Sequence, residues 1–276
     1  MRITVIEHEA EAGLGYFAGW LGLDCEVHRP YLGDEVPARA ADGLIVLGGA
    51  AAAWEDDRHP WLPATRDLMR RSVEDGTPTL GICLGAQLMT LACGGVVERG
   101  AHGLEVGACE VTPLPAAAAD PLLSRLDGVA TAVQYHQDAM TRLPDGAVPL
   151  VTGSPYPNQA YRLGEAAWGV QFHPEATPEI FVSWTRDSGL DAAEELNAAV
   201  KAAEDALVAT WRPVARAFAD AVRTTAGART EAGVRADEGV RADAGGRADA
   251  GVRADAGVRS DTGVRTTARD RTGARD

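Results

Sequence analysis

Residues Thr79-Leu80-Gly81-Ile82-Cys83-Leu84-Gly85-Ala86-Gln87-Leu88-Met89-Thr90-Leu91-Ala92 decide how this chain folds. An apolar run ends in Gly-Ile-Cys-Leu-Gly and passes into residues at helical spacing, which predicts a strand, a sharp turn and a helix with Cys83 at the corner. Glycines two before and two after the cysteine let strand and helix backbones approach where a side chain would obstruct them. A thiol at a helix N-terminus meets partial positive charge, which favours thiolate. A cysteine among packing glycines can equally be a buried structural residue, and this stretch alone leaves both alternatives open.

A second stretch bears on the choice. Gly169-Val170-Gln171-Phe172-His173-Pro174-Glu175 reads as the end of a strand over residues 167–172, followed by an extended segment. Residues two apart in extended chain point the same way, and Pro174 keeps the backbone extended between His173 and Glu175. One imidazole and one carboxylate are then presented side by side. A cysteine nucleophile needs such a pair, a base for its proton and a carboxylate to orient that base. A lone His-Pro-Glu reads as a loop; together with the cysteine corner it reads as machinery.

With both motifs in place the sequence resembles the class I, triad-type glutamine amidotransferase domain, over roughly residues 1–220. Leu47-Gly48-Gly49-Ala50, at the end of the apolar run Gly43-Leu44-Ile45-Val46, is a third match. Trp54-Glu55-Asp56-Asp57, Pro60-Trp61-Leu62, Glu105-Val106-Gly107 and His136-Gln137-Asp138 are similar to the stand-alone branch related to the glutaminase domain of GMP synthase. The resemblance implies a flavodoxin-like, doubly wound α/β fold. It implies that Cys83 attacks the γ-carboxamide of glutamine, that His173 moves the proton, and that Glu175 holds the imidazole. Backbone N–H groups of Gly49 and Leu84 would form the oxyanion hole. Gln87, Tyr135 and His136 would line the substrate's amino-acid end. Ala50 stands where the family often has proline, which predicts a freer loop, and Ala86 replaces a larger polar residue.

The 276 residues are of two kinds. Residues 1–224 alternate apolar runs with amphipathic stretches, enough for one domain with a sizeable core. Residues 225–276 are reduced to Gly, Ala, Val, Arg, Asp and Thr, with six units of period six beginning at Gly233-Val234-Arg235-Ala236-Asp237-Glu238. Each unit offers at most one valine for burial, too little for a β-helix, and a disordered polyampholyte tail is expected. From residue 224 onward ten arginines face nine acidic residues, a net of +1, so the body carries about −15 and the whole chain −14. An acidic body argues against nucleic acid as a partner. No apolar run approaches the roughly 18 residues a membrane span needs, and nothing resembles a signal peptide. Cys25, Cys83, Cys93 and Cys109 show no paired spacing, which predicts a reduced, cytoplasmic protein without metal or other cofactor.

The rhythm of the body is β-α-β. Strands are expected over residues 3–7, 25–28, 44–47 and up to Cys83, with helices over 11–23 and 62–73. That pattern predicts a mostly parallel sheet with helices on both faces and reactive groups at the carboxyl ends of strands. The middle, 96–161, is richer in strands and turns, with a short helix expected over 120–126. Thr177-Pro178-Glu179 is a helix start. Asp191 and Glu194 are expected to cap a helix running to about Trp211, and Pro213 to open another. His136 could pair with Asp138 as a second base, but lining is the favoured role. His8 could face the cleft, and Trp54 and Trp61 could wall it.

Three functions follow. One is a glutaminase subunit releasing ammonia for a synthase subunit in trans. Another is a free-standing hydrolase of γ-glutamyl amides or peptides. The third is a non-catalytic binding module whose tail recruits partners.

Overall fold

The computed structural model describes residues 1–186 and 188–248. The chain divides into Met1–Thr230 and Glu231–Asp276. The first unit is built on β1 (Arg2–Ile6), α1 (Phe17–Trp20), β2 (Asp24–His28), β3 (Gly43–Val46), α2 (Leu62–Glu74), β4 (Thr79–Ile82), α3 (Leu84–Ala92) and β5 (Val96–Arg99). It continues through β6 (Glu105–Pro113), β7 (Ala130–His136), β8 (Asp138–Arg142), β9 (Val148–Gly153), β10 (Ala160–Leu163) and β11 (Ala167–Val170). Helices α4 (Pro178–Thr185), α5 (Ala193–Ala202) and α6 (Glu204–Ala248) follow.

Nine strands form one sheet in the order β2-β1-β3-β4-β11-β10-β9-β6-β7. The first five are mutually parallel. The last four extend the sheet with antiparallel pairings. The parallel half carries the site. Its inner strands β3, β4 and β11 are buried at every position, as strands covered on both faces must be. Alternate side chains enter different cores: Ile45 joins Phe17, Trp211 and Phe218, while Leu44 and Val46 join Leu68, Leu88 and Met89. The two-sided burial expected of a doubly wound sheet is therefore present.

Several local expectations change. The helix predicted over 11–23 is reduced to Phe17–Trp20, because the chain before it turns to reach the site. Gly15 has φ +47°, a side chain there would strike the Glu175 carbonyl, and Tyr16 N donates to that same carbonyl at 2.8 Å. Residues 120–126 form turns rather than a helix; the Asp120 carboxylate accepts from Leu122 N and Leu123 N at 2.9 and 3.1 Å, as a helix cap does, but the turn it starts is not continued. The same carboxylate, 1% exposed, accepts from Arg162 Nε and Trp168 Nε1, tying β10 and β11 together. Thr177 caps α4 as predicted, accepting from Ile180 N at 3.2 Å. Asp191 caps nothing, since Ala192 holds that position before α5, and a break at Ala203 separates α5 from α6. Pro213 lies inside α6 instead of opening it.

α6 passes the expected domain boundary at residue 224. Arg229 Nη2 donates to Asp75 O and Thr77 Oγ1 at 2.9 and 3.1 Å, which holds the helix to the first unit as far as that unit's end at Thr230. The second unit is helical in backbone as far as Ala248; the disorder expected of 249–276 lies outside the described residues.

Candidate active site

β4 delivers Cys83 to the corner. Its N–H donates to Val170 O on β11 at 2.8 Å, and its carbonyl receives Gln87 N at 3.0 Å to start α3. Between those bonds the backbone must reverse direction in a single residue. Cys83 does so at φ 49°, ψ −107°, and among the described residues it is the one non-glycine with positive φ. L residues avoid that region, at about 1–3 kcal/mol. The flanking glycines meet the expected need. A side chain at Gly85 would collide with the Val46 carbonyl, and one at Gly81 would lie 2.7 Å from the Gly85 backbone.

β11 delivers His173 and Glu175. His173 N donates to Val133 O on β7 at 2.8 Å, anchoring the extended segment. The His173 Nδ1 and Glu175 Oε1 atoms are 2.8 Å apart, with both residues at most 4% exposed. Bonding Nδ1 to a carboxylate leaves Nε2 for another partner. Burial opposes charge on this imidazole, but Glu175 and Cys83 outweigh it and push the His173 pKa up from 6.5 to about 10. The Trp184 ring packs on His173 with centroids 4.5 Å apart.

The Gly48-Gly49 loop closes over both groups. A Cβ on Gly48 would stand 2.7 Å from His173 Cε1 and 3.5 Å from Cys83 Cβ. Leu47 N and Ala50 N are bonded, to Ile6 O and Glu9 Oε2, both at 3.0 Å. The Gly49 N–H between them has no partner among the described residues. Leu84 N lies in the first turn of α3, where N–H groups lack intrahelical acceptors. The Ala50 bond also bears on the loop expected to be free. The N–H that a proline would lack is held by Glu9.

Cys83, Gly49, Gln87, Tyr135, His136 and His173 all line one cleft of about 580 Å³ at the carboxyl ends of the parallel strands. Glu175 and Leu84 lie behind its wall. Gln87 is 3% exposed, and its Nε2 is already bonded to Asp138 O at 3.0 Å and to Gln171 Oε1 at 3.3 Å. The His136 ring nitrogens contact Asp138 O and Glu105 Oε2, each at 2.9 Å. Its carboxylate partner is thus Glu105 across the β6–β7 ladder and not Asp138, whose oxygen Oδ1 faces Arg99 at 3.0 Å.

The remaining candidates separate cleanly. His8 is buried, accepts from Trp61 Nε1 at 3.0 Å, and is held near pKa 3 by burial and by His59, so it braces Trp61 as a neutral ring. Trp54 is 44% exposed, and neither it nor Trp61 lines the large cleft. Cys109 is pushed up to about 11 by burial and Glu105, and burial and Glu74 raise Cys93, as small half-buried thiols require. All four cysteines are free. Glu9 and Trp184 also line the cleft, and Glu105 and Gln171 bond His136 and Cys83 from behind it, four residues the sequence reading does not single out for the site. Gln171 was readable, standing two before His173 and therefore on the same face of an extended chain. Among the described residues no cluster of three or more His, Cys, Asp or Glu could hold a metal, and no helix is long and apolar enough to cross a membrane.

Comparison with known proteins identifies the family. The family model Glutamine amidotransferase class-I matches residues 18–188. GMP synthase [glutamine-hydrolyzing] of Synechococcus sp. (strain CC9605) is 34% identical over 143 residues, covering 51% of this chain and 25% of the synthase. The chain thus aligns with about a quarter of the length of such synthases. The putative glutamine amidotransferase-like protein YfeJ of Salmonella typhimurium is 29% identical over 187 residues, 65% of this chain and 77% of that protein. A crystal structure of a glutamine amido transferase from Methylobacillus flagellatus superposes with a TM-score of 0.70 at 26% identity, covering 81% of this chain and 94% of the other. The chain belongs to the class-I glutamine amidotransferase family, and its matched region resembles the glutaminase part of GMP synthases.

Proposed function

We propose that this protein hydrolyses a γ-glutamyl amide through a thioester on Cys83, with glutamine as substrate and ammonia as product. The observation that carries the reading is a strained cysteine sharing one cleft with a buried histidine whose Nδ1 is bound to a carboxylate. The thiol proton passes to His173, and the sulfur then attacks the γ-carboxamide carbon, forming C–S. Negative charge on the carboxamide oxygen is met by the N–H groups of Gly49 and Leu84, each such donor being worth roughly 2.7–4 kcal/mol. His173 returns its proton to the departing nitrogen as C–N breaks, and ammonia leaves. Water, deprotonated by His173, then splits the thioester to glutamate. Glu175 orients the imidazole throughout. Gln87, Tyr135 and His136, which line the same cleft, would receive the glutamyl amino-acid end. Similarity to GMP synthases supports a synthase subunit in trans as the consumer of ammonia.

A second reading has an observation of its own. The cleft volume falls in the ~300–1,000 Å³ range of sites for larger small molecules, leaving room for a γ-glutamyl amine or peptide in place of free glutamine. A hydrolysis screen over glutamine and γ-glutamyl amides, with and without candidate synthases, separates the two. Ammonia release only with a partner supports the subunit, and amine release without one supports the free-standing hydrolase. Absence of turnover on every compound, with the fold intact, would leave the protein a binding module.

A further inference from the structure

We infer that Gln171 is a catalytic residue that donates a hydrogen bond to the Cys83 sulfur and holds it as the attacking thiolate. The inference rests on the proposed role of Cys83. Gln171 follows β11 directly, beside Cys83 across the parallel ladder in which Val170 pairs with Ile82. It is 1% exposed, and its Nε2 lies 3.7 Å from Cys83 Sγ.

The direction of that bond follows from chemistry further along. The Asp138 carbonyl accepts only, so the group Gln87 turns to it, at 3.0 Å, is its amide NH₂. The same NH₂ lies 3.3 Å from the other side-chain amide, which must therefore present its oxygen, as Oε1 of Gln171. The NH₂ of Gln171 is left for the sulfur. A carbonyl on Asp138 thus determines, through two buried glutamines, that hydrogen and not a lone pair faces Sγ. Tyr135 O, 4.0 Å from the sulfur, is an acceptor and favours the thiol. Gln171 supplies the opposing preference. Gln87, which lines the cleft, thus also orients Gln171 through its amide NH₂.

The test measures Cys83 alkylation by chloroacetamide alongside glutamine hydrolysis. Alkylation reads the sulfur directly, whatever the true substrate. Gln171→Met keeps the length and removes the donor. It is expected to slow alkylation and lower kcat by about tenfold each, the scale of one hydrogen bond to a charged group, with KM held within about twofold. Gln171→Glu keeps the shape and replaces the donor by a carboxylate. Its alkylation deficit at about pH 8 is expected to shrink near pH 5, where a protonated carboxyl can donate again. A folded Gln171→Met or Gln171→Glu that alkylates at the wild-type rate overturns the inference, as does a loss confined to KM. Should Gln171→Met not fold, the isosteric Gln171→Glu decides alone. Hydrolysis surviving in Cys83→Ala is a different failure, overturning the nucleophile and not the Gln171–sulfur bond.

Discussion

If the Cys83 corner holds strain for function, relieving it should stabilise a protein that can no longer react. Cys83→Ala removes the sulfur but keeps a Cβ at φ 49°, ψ −107°. Cys83→Gly removes both. At this ψ the backbone lies outside the left-handed well that L residues tolerate, so the relief belongs toward the upper end of ~1–3 kcal/mol. Against it stand about 0.4–1 kcal/mol for the greater freedom of glycine in the unfolded chain and about 0.8 kcal/mol for one buried methyl group. The balance is about 1 kcal/mol in favour of glycine, or ~2–4 °C in melting temperature for a domain of this size. Both variants lack the sulfur, so every bond to Sγ cancels in the comparison. Calorimetry of the two, each expected to be inactive, decides the matter. A glycine variant melting at or below the alanine variant would refute the idea that the corner is strained.

Three other outcomes follow from the geometry. Glu175→Gln should lower kcat by roughly 10³–10⁴-fold, the scale seen when the orienting carboxylate of a triad is lost. It should also flatten the pH dependence of stability: a histidine raised from 6.5 to about 10 contributes stability that is complete below pH 6.5 and lost as pH rises through 10, and melting curves across that window should show a smaller loss in the variant, where Cys83 alone raises the ring. Gly48→Ala puts a methyl 2.7 Å from His173 Cε1 and should cut kcat by about 100-fold, the cost of an ångström-scale misplacement, while circular dichroism remains that of the wild type. Asp120→Ala leaves two backbone N–H groups, Arg162 and the Trp168 indole without their acceptor, and should cost about 3–5 kcal/mol in denaturant unfolding with kcat unchanged below the transition.

What could be read in advance was whatever local sequence determines. The Gly81-Ile82-Cys83-Leu84-Gly85 corner, the fully apolar inner strands and the alternation of His173 with Glu175 each express a constraint within a few residues, and each stands as read. The failures lie where a distant group decides. The helix expected over 11–23 gives way because Tyr16 and Gly15 are fitted to the Glu175 carbonyl. The short helix expected over 120–126 is a capped turn that goes no further, its Asp120 carboxylate held at the same time by the distant Arg162 and Trp168. His136 takes Glu105 as its partner because β6 and β7 pair Glu105 opposite His136, a register that nothing near either residue announces. The same holds for Gln171. Its motif was visible, but only the β4–β11 ladder brings it beside the sulfur.

The most direct test of the central claim is to incubate the protein with glutamine, quench in acid, and map the acyl group by mass spectrometry. The account predicts a γ-glutamyl thioester on the peptide carrying Cys83, on no other cysteine, and absent in Cys83→Ala together with all ammonia release. Steady hydrolysis by a protein that never carries glutamyl on Cys83 would contradict it.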